Sequence, residues 1–593
     1  MIDLIFKNPE VLADMFFSNP GFIIIFAGFL CAFLPRNEAR KFLVGAAPIA
    51  AAFLVWRAAG DMDGARRAIE AGGNEFVLMR IDRLSMIWGY VFCLAGVLNA
   101  IYALHEKCRI TDSSALIYMG AAVAGVFAGD FLTLFIFWEL AALSSVFLVW
   151  KGGENAFPAG VRYLAIHILS GVLLLAGAVI YARSKEWDFT FGEAGEYGFL
   201  SLQDPGAVLL MIAMGIKCGF PFLHNWIQDA YPKASVTGTV ILSAFTTKLA
   251  LYALARTFAG EDILIYIGAI MTCFPVFFAV IENDLRRVLS YSLNNQLGFM
   301  VCGIGLGTEL AMNGVAAHLA ADVIFKGLLF MSMGAVLMRV GTAKASELGG
   351  LFRSMPYTTI FCLIGAGSIA AFPLLSAFVT KSMIIASAMN QHEYIVMGML
   401  LFASAGVMEH SGIKVPYFAF FSHDSGKRVK EAPWNMLVAM GLASLLCVFF
   451  AFPWGGYQFL YSLLPFPENY YAPYTGNHVV TQLQLLFAAM LAFAFLKRMK
   501  VYPDERRAEI LDFDWTYRRL GKGIAVWIDA MWTRLSANLA IIRKDFFAKA
   551  GQRLYHMFSP AGTFSVGAPS GLPTLLTGGM LVLVLIVVYL ARL

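Results

Sequence analysis

The chain has 593 residues, 59% of them hydrophobic and 14% charged, with a formal charge of +5. Soluble domains carry about 25% charged residues, and a mean hydropathy of +0.70 leaves too little polar surface to clothe a water-soluble fold. These values exclude a soluble globular protein, and the lack of any basic run excludes a nucleic-acid binder.

Cysteine spacing narrows the chemistry. Cys31, Cys93, Cys108, Cys218, Cys273, Cys302, Cys362 and Cys447 include no CxxC pair, and most lie in apolar runs. They read as buried thiols, not as disulfides, zinc ligands or cluster ligands. There is no phosphate-binding glycine loop and no dinucleotide fingerprint. The expectation is a chain with no catalytic site, no metal and no cofactor of its own. No cleavable signal pattern is present. The first apolar run, Gly21 to Pro35, is followed by Arg36, Arg40 and Lys41, the reverse of a signal peptide's charge order.

Apolar runs of about 18–25 residues are long enough to cross a bilayer as helices. They lie near 20–35, 40–57, 84–104, 112–129, 130–150, 159–182, 206–228, 236–257, 261–281, 288–308, 311–339, 357–389, 394–412, 434–452, 478–497 and 571–590. These are spans 1 to 16 below. Spans 11 and 12 are long, and predict helices with breaks. The fold class is therefore all-α and polytopic, with about 14–16 spans.

Basic residues favour the cytoplasmic side. They follow spans 1, 3, 9, 11 and 13: Arg36, Arg40 and Lys41; Lys107 and Arg109; Arg286 and Arg287; Arg339, Lys344 and Arg353; Lys427, Arg428 and Lys430. The loop after span 2 is the main exception, with Arg57, Arg66, Arg67, Arg80 and Arg83 offset by five acids, and Arg183 and Lys185 after span 6 are a smaller one. The pattern places the N-terminus outside. Within 498–570, Leu520, Ile524, Trp527, Ile528, Met531, Leu535, Leu539, Ile542 and Phe546 recur mostly at steps of three and four, with basic residues between them. That predicts a long amphipathic helix lying on the membrane or against other helices.

Charges inside the spans carry the functional signal. A charge at the bilayer centre costs at least about 2.5–3.5 kcal/mol. Glu139, Lys217, Lys248, His318, Asp322, Lys326 and Lys381 all fall within or at the end of apolar runs. His318, Asp322 and Lys326 step by four and share one helix face. The plain alternative is a set of structural ion pairs and snorkelling lysines, which suits Lys248 and Lys381 better than the mid-span Glu139 and Lys217. Low dielectric weakens a lysine's hold on its proton, and a nearby carboxylate restores it. Such a pair can switch, so Glu139 with Lys217 reads as the switch and the others as relay stations.

Two similar strings mark breaks: Gly219-Phe220-Pro221-Phe222-Leu223 in span 7 and Ala371-Phe372-Pro373-Leu374-Leu375 in span 12. Proline removes a helix hydrogen bond and kinks the helix. Each string has a lysine close by, Lys217 or Lys381. Five spans separate the breaks, as an inverted five-helix repeat would place them, and transporters put ion sites at such paired broken helices.

The strings DFLTLFIFWE, GIKCGFPFLHNWIQDAYPKASVTGTVILSAFTTK, ENDLRRVLSYSLNNQLG, HLAADVIFKGLLF and FPLLSAFVTK span about residues 80–430. In them the chain resembles the antiporter-like proton-translocating subunits of respiratory complex I, Mrp-type Na+/H+ antiporters and membrane-bound hydrogenases. The resemblance implies N-terminal transmembrane helices in 1–111, inverted repeats in 112–257 and 258–412, and C-terminal core helices in 413–497. A lateral-type amphipathic segment would follow in 498–570, and a last transmembrane helix in 571–593. It implies the glutamate role for Glu139, the span-7 lysine role for Lys217, relay roles for Lys248 and Lys326, and the terminal role for Lys381. The family often has a second histidine where this chain has Asp322, so the middle relay differs. It also implies partner membrane subunits, protons and Na+ as candidate ions, and the inner (plasma) membrane of a prokaryote. The rival readings are a stand-alone transporter of a small ion or solute, and a scaffold whose buried charges only pair.

Overall fold

The computed structural model describes residues 19–61, 66–71, 74–192, 195–502, 510, 512–559, 562 and 571–590. Residues 503–509, 511, 560–561 and 563–570 of the expected surface segment lie outside these residues. Helices form at all sixteen positions. Nine of the described helices are long and apolar enough to cross a membrane, and five more are shorter apolar helices. The chain is a multi-pass membrane protein, as its composition requires.

Residues 19–512 form one compact unit. Span 8 (Val236–Thr257) and span 11 (Glu309–Val340) hold its centre: the apolar stretch of span 8 is wholly buried, as are nearly all side chains of span 11. Span 15, Gly476–Arg498, lies at the rim, with only Leu486 and Phe493 buried. The charged loop after span 2 folds into an antiparallel hairpin, Arg66–Ala71 paired with Asn74–Arg80. Three of the loop's arginines, Arg66, Arg67 and Arg80, and two of its acids, Glu70 and Glu75, thus belong to a built element. Arg66 pairs with Glu75 at 2.8 Å across it, and the Val77 N–H donates to the buried Asp130 carboxylate at 2.7 Å. Asp130 also caps span 5 through the Thr133 N–H, which ties the hairpin to the start of the helix that carries Glu139.

Span 7 divides into Ala207–Cys218 and Asn225–Ala230, and span 12 into Pro356–Ile369 and Ser376–Asn390. Span 8 is also interrupted, between Val236–Ala244 and Thr246–Thr257. Span 11 departs from its expectation: it is one unbroken helix of 32 residues. Gly314, Gly327 and Gly334 lie within it without breaking the run. Span 13 begins as the α-helix Tyr394–Val407 and widens into π-helical turns over Met408–Lys414 and Tyr417–Phe421.

Residues Phe513–Leu593 form a second compact unit. It holds a 37-residue helix, Lys522–Phe558, and the apolar helix Gly571–Leu590. Ile524, Trp527, Ile528, Leu535 and Leu539 of the long helix are exposed.

Candidate functional site: a buried set of ionisable side chains

The two proline strings build the same turn. Gly219 and Phe222 have positive φ in the first, Ala371 and Leu374 in the second. The Phe220 N–H reaches the Gly215 carbonyl at 2.9 Å, and the Phe372 N–H reaches Gly367 at 3.0 Å. Each then closes a proline turn, Leu223 N–H to Phe220 carbonyl and Leu375 N–H to Phe372 carbonyl. Pro at the second position with positive φ at the third is a type II turn. Such positive φ is unusual for Phe, Ala and Leu. Two five-residue strings thus stop two helices in the same way, and leave free carbonyls where lysines can reach.

Lys381 uses one of them. Its Nζ donates to the Ile369 carbonyl at the end of the first half of span 12, 3.2 Å away, and sits 4.7 Å from the centre of the Phe299 ring. A cation at a helix C-terminus is favourable, which explains how a lysine with 2% exposure is tolerated there.

Lys217 is held differently. Its Nζ donates to the Trp138 carbonyl at 2.7 Å and lies over the Trp138 ring at 4.3 Å. Glu139, the next residue, feels the lysine's charge, but no ion pair within 4 Å closes between them. Glu139 Oε1 instead lies against Gly171 of span 6, where a Cβ would stand 1.7 Å from it, and it has no hydrogen-bond partner. The expected switch residues are adjacent and unlocked, not paired.

The central ion pair is one the sequence did not assign. Lys248 Nζ lies 2.9 Å from Asp322 Oδ2, with both side chains at 0% exposure. The same Nζ donates to the Ser243 carbonyl at the interruption of span 8, at 3.0 Å. Neither Asp322 oxygen makes an aligned hydrogen bond, so the pair is held by proximity of charge. Asp322 lies four residues from Lys326, but its partner is on another helix.

His318, on the same face, is bonded through both ring nitrogens. Nδ1 meets Thr380 Oγ1 of span 12 at 3.0 Å, and Nε2 meets Gln296 Oε1 of span 10 at 3.1 Å. Lys326 donates to Ser292 Oγ of span 10 at 2.8 Å. The face shared by 318, 322 and 326 thus reaches three different helices.

Two of these contacts fall on span 10, which sequence reasoning passed over. Ser292, Asn294, Asn295 and Gln296 are all fully buried there; the signal was the polar run SYSLNNQ inside an apolar stretch. His167 of span 6 is also fully buried. It stacks on Tyr163 at 4.0 Å and meets Trp226 edge-on at 4.4 Å, and neither nitrogen has a partner. It feels the Lys217 charge. Among the described residues no cluster of His, Cys, Asp and Glu could hold a metal ion.

Comparison with known proteins fits this geometry. Residues 128–406 match the family model "NADH:quinone oxidoreductase/Mrp antiporter, TM". The chain is 28% identical over 351 residues to an Na(+)/H(+) antiporter subunit of Alkalihalophilus pseudofirmus, covering 56% of this chain and 69% of that protein. The fold is shared with a chain of the Mrp complex from Dietzia sp. DQ12-45-1b, at a TM-score of 0.69 and 19% identity, over 80% of this chain and 99% of that one. It is shared too with a chain of the membrane-bound sulfane sulfur reductase, an archaeal respiratory membrane complex. There the TM-score is 0.67 and the identity 18%, over 96% of this chain and 99% of the other. Glu139, both broken helices and the lysines Lys217, Lys248, Lys326 and Lys381 thus all fall within the segment that matches the NADH:quinone oxidoreductase/Mrp antiporter transmembrane family model.

Proposed function

We propose that this chain is a proton-translocating subunit of a multisubunit membrane complex in a prokaryotic plasma membrane. Protons pass along the buried groups Glu139, Lys217, Lys248, Asp322, His318, Lys326 and Lys381. The observation that carries the reading is the set of four lysines with 0–2% exposure, of which only Lys248 has a carboxylate within ion-pair distance. A scaffold gains nothing from burying unpaired lysines, because each costs several kcal/mol of desolvation that an apolar side chain would not. Lysines that can hold or lose a proton are what a relay needs.

The chain runs as two repeats, 112–257 and 258–412, and the matching turns at Pro221 and Pro373 support that division. The helix Lys522–Phe558 and the last apolar helix meet partner subunits, which supplies a use for exposed Trp527 and Leu535. Similarity to an Na(+)/H(+) antiporter subunit supports counter-transport of a cation by the assembled complex, with Na+ the first ion to test.

The test is proton movement in inverted vesicles holding the tagged native complex, followed with a ΔpH-sensitive dye. Lys217→Ala and Glu139→Ala should abolish it while the complex still assembles. Wild-type movement in both would overturn the reading. Co-purification of the tagged chain in mild detergent tests the multisubunit part. Recovery of the chain alone, active in liposomes, would favour a stand-alone transporter.

A further inference from the structure

Lys326 makes one hydrogen bond among the described residues, and it does not lead toward Lys381. Ser292 Oγ, which accepts it at 2.8 Å, also accepts from the Ser411 hydroxyl at 2.7 Å. Ser411 Oγ is 2.8 Å from His410 Nδ1. Ser292, Ser411 and His410 all have 0% exposure. The chain ends at His410 Nε2, which is buried and has no partner. A hydrogen-bonded line thus runs from a lysine on span 11, across span 10, to a histidine on span 13.

The backbone of span 13 is unusual where the line ends. Met408–Lys414 is π-helical, and π-turns inside α-helices cluster at functional sites. The nearby Lys414 is not part of the line. Its Nζ is occupied by the carbonyls of Ala279, Val280 and Glu282 at 3.1, 2.5 and 2.6 Å.

We propose that His410 is a proton station on a lateral branch leaving the main line at Lys326, a deepening of the transport reading above. In the loading step the Lys326 ammonium gives one proton to Ser292. The Ser411 hydroxyl turns from Ser292 to His410 Nδ1; Ser292 then passes its own proton to Ser411, and the Ser411 proton goes to Nδ1. Lys326 becomes a neutral amine and His410 an imidazolium, so charge and protons balance. Hydroxyl rotors permit this because each Ser donates one hydrogen bond and accepts others. The charges around His410 are those of Lys326, Lys414 and Lys381. Like charges disfavour one another, so His410 takes a proton only as Lys326 gives its own up. One proton is shared between the two sites, and the unpartnered Nε2–H is where it leaves.

The test uses the native complex in inverted vesicles, with Ser411→Ala, His410→Phe and Lys217→Ala, each checked for assembly. Ser411→Ala breaks the line with the loss of one oxygen, and should lower proton movement about tenfold or more. His410→Phe should do the same. A second readout separates a station from a packing histidine: nitrogen NMR of the histidine-labelled complex. Lys326→Met removes the competing charge, so the imidazolium fraction of His410 should rise. If Lys217→Ala abolishes transport while Ser411→Ala retains wild-type rates, the branch is overturned and the transport reading stands. If Lys217→Ala also transports normally, the transport reading fails and the branch with it. An unchanged His410 signal in Lys326→Met overturns the branch whatever the transport assay gives.

Discussion

Lys248 and Asp322 face each other at 2.9 Å between the second half of span 8 and the middle of span 11, both fully buried. The two helices belong to different proposed repeats, so this one pair couples them electrostatically. Removing one partner of a buried pair leaves an uncompensated charge and costs about 3–5 kcal/mol. Asp322→Leu and Lys248→Met should each lower thermal stability in detergent by that order. The double variant should recover most of it and still fail to move protons. Single variants as stable as wild type would show that the pair is not closed in the membrane.

Gly171 leaves the space that Glu139 Oε1 fills, because a Cβ there would sit 1.7 Å from that oxygen. Gly171→Ala should push the carboxylate aside at an overpacking cost of about 1–3 kcal/mol. Proton movement should fall as in Glu139→Ala, with the complex assembled. Normal transport by this variant would mean that the Glu139 position has no part in it.

Ala371 stands at φ 60°, where a Cβ costs about 1–2 kcal/mol and glycine escapes the strain. Its counterpart in the first break is Gly219. Ala371→Gly should therefore raise thermal stability by a few tenths to about 1 kcal/mol, after the entropy glycine loses on folding. A destabilised Ala371→Gly would mean that the second turn relaxes differently from the first.

Asp512 anchors the chain that leaves span 15. Its Oδ2 lies 3.0 Å from His224 Nε2 and accepts from the Tyr291 hydroxyl at 2.9 Å, so it fastens that chain beside the break in span 7. Asp512→Ala leaves both partners buried without it, at about 1–3 kcal/mol each. Faster proteolysis near residues 510–515 and a lower melting temperature are expected. Unchanged values for both would remove the anchor from the account.

Apolar run length placed the spans, because a bilayer demands about 20 apolar residues per helix and punishes every exception. The same penalty made the buried charges stand out, and two proline strings marked the breaks in spans 7 and 12. Local sequence reached no further. The unbroken span 11, the π-helical end of span 13 and the hairpin after span 2 depend on neighbours that a linear pattern does not register. Partnership was decided only in three dimensions. The spacing of 318, 322 and 326 put them on one face, yet that face meets Gln296, Lys248 and Ser292 on other helices. A side chain's own helix sets where it points, and the packing of distant helices sets what it finds there.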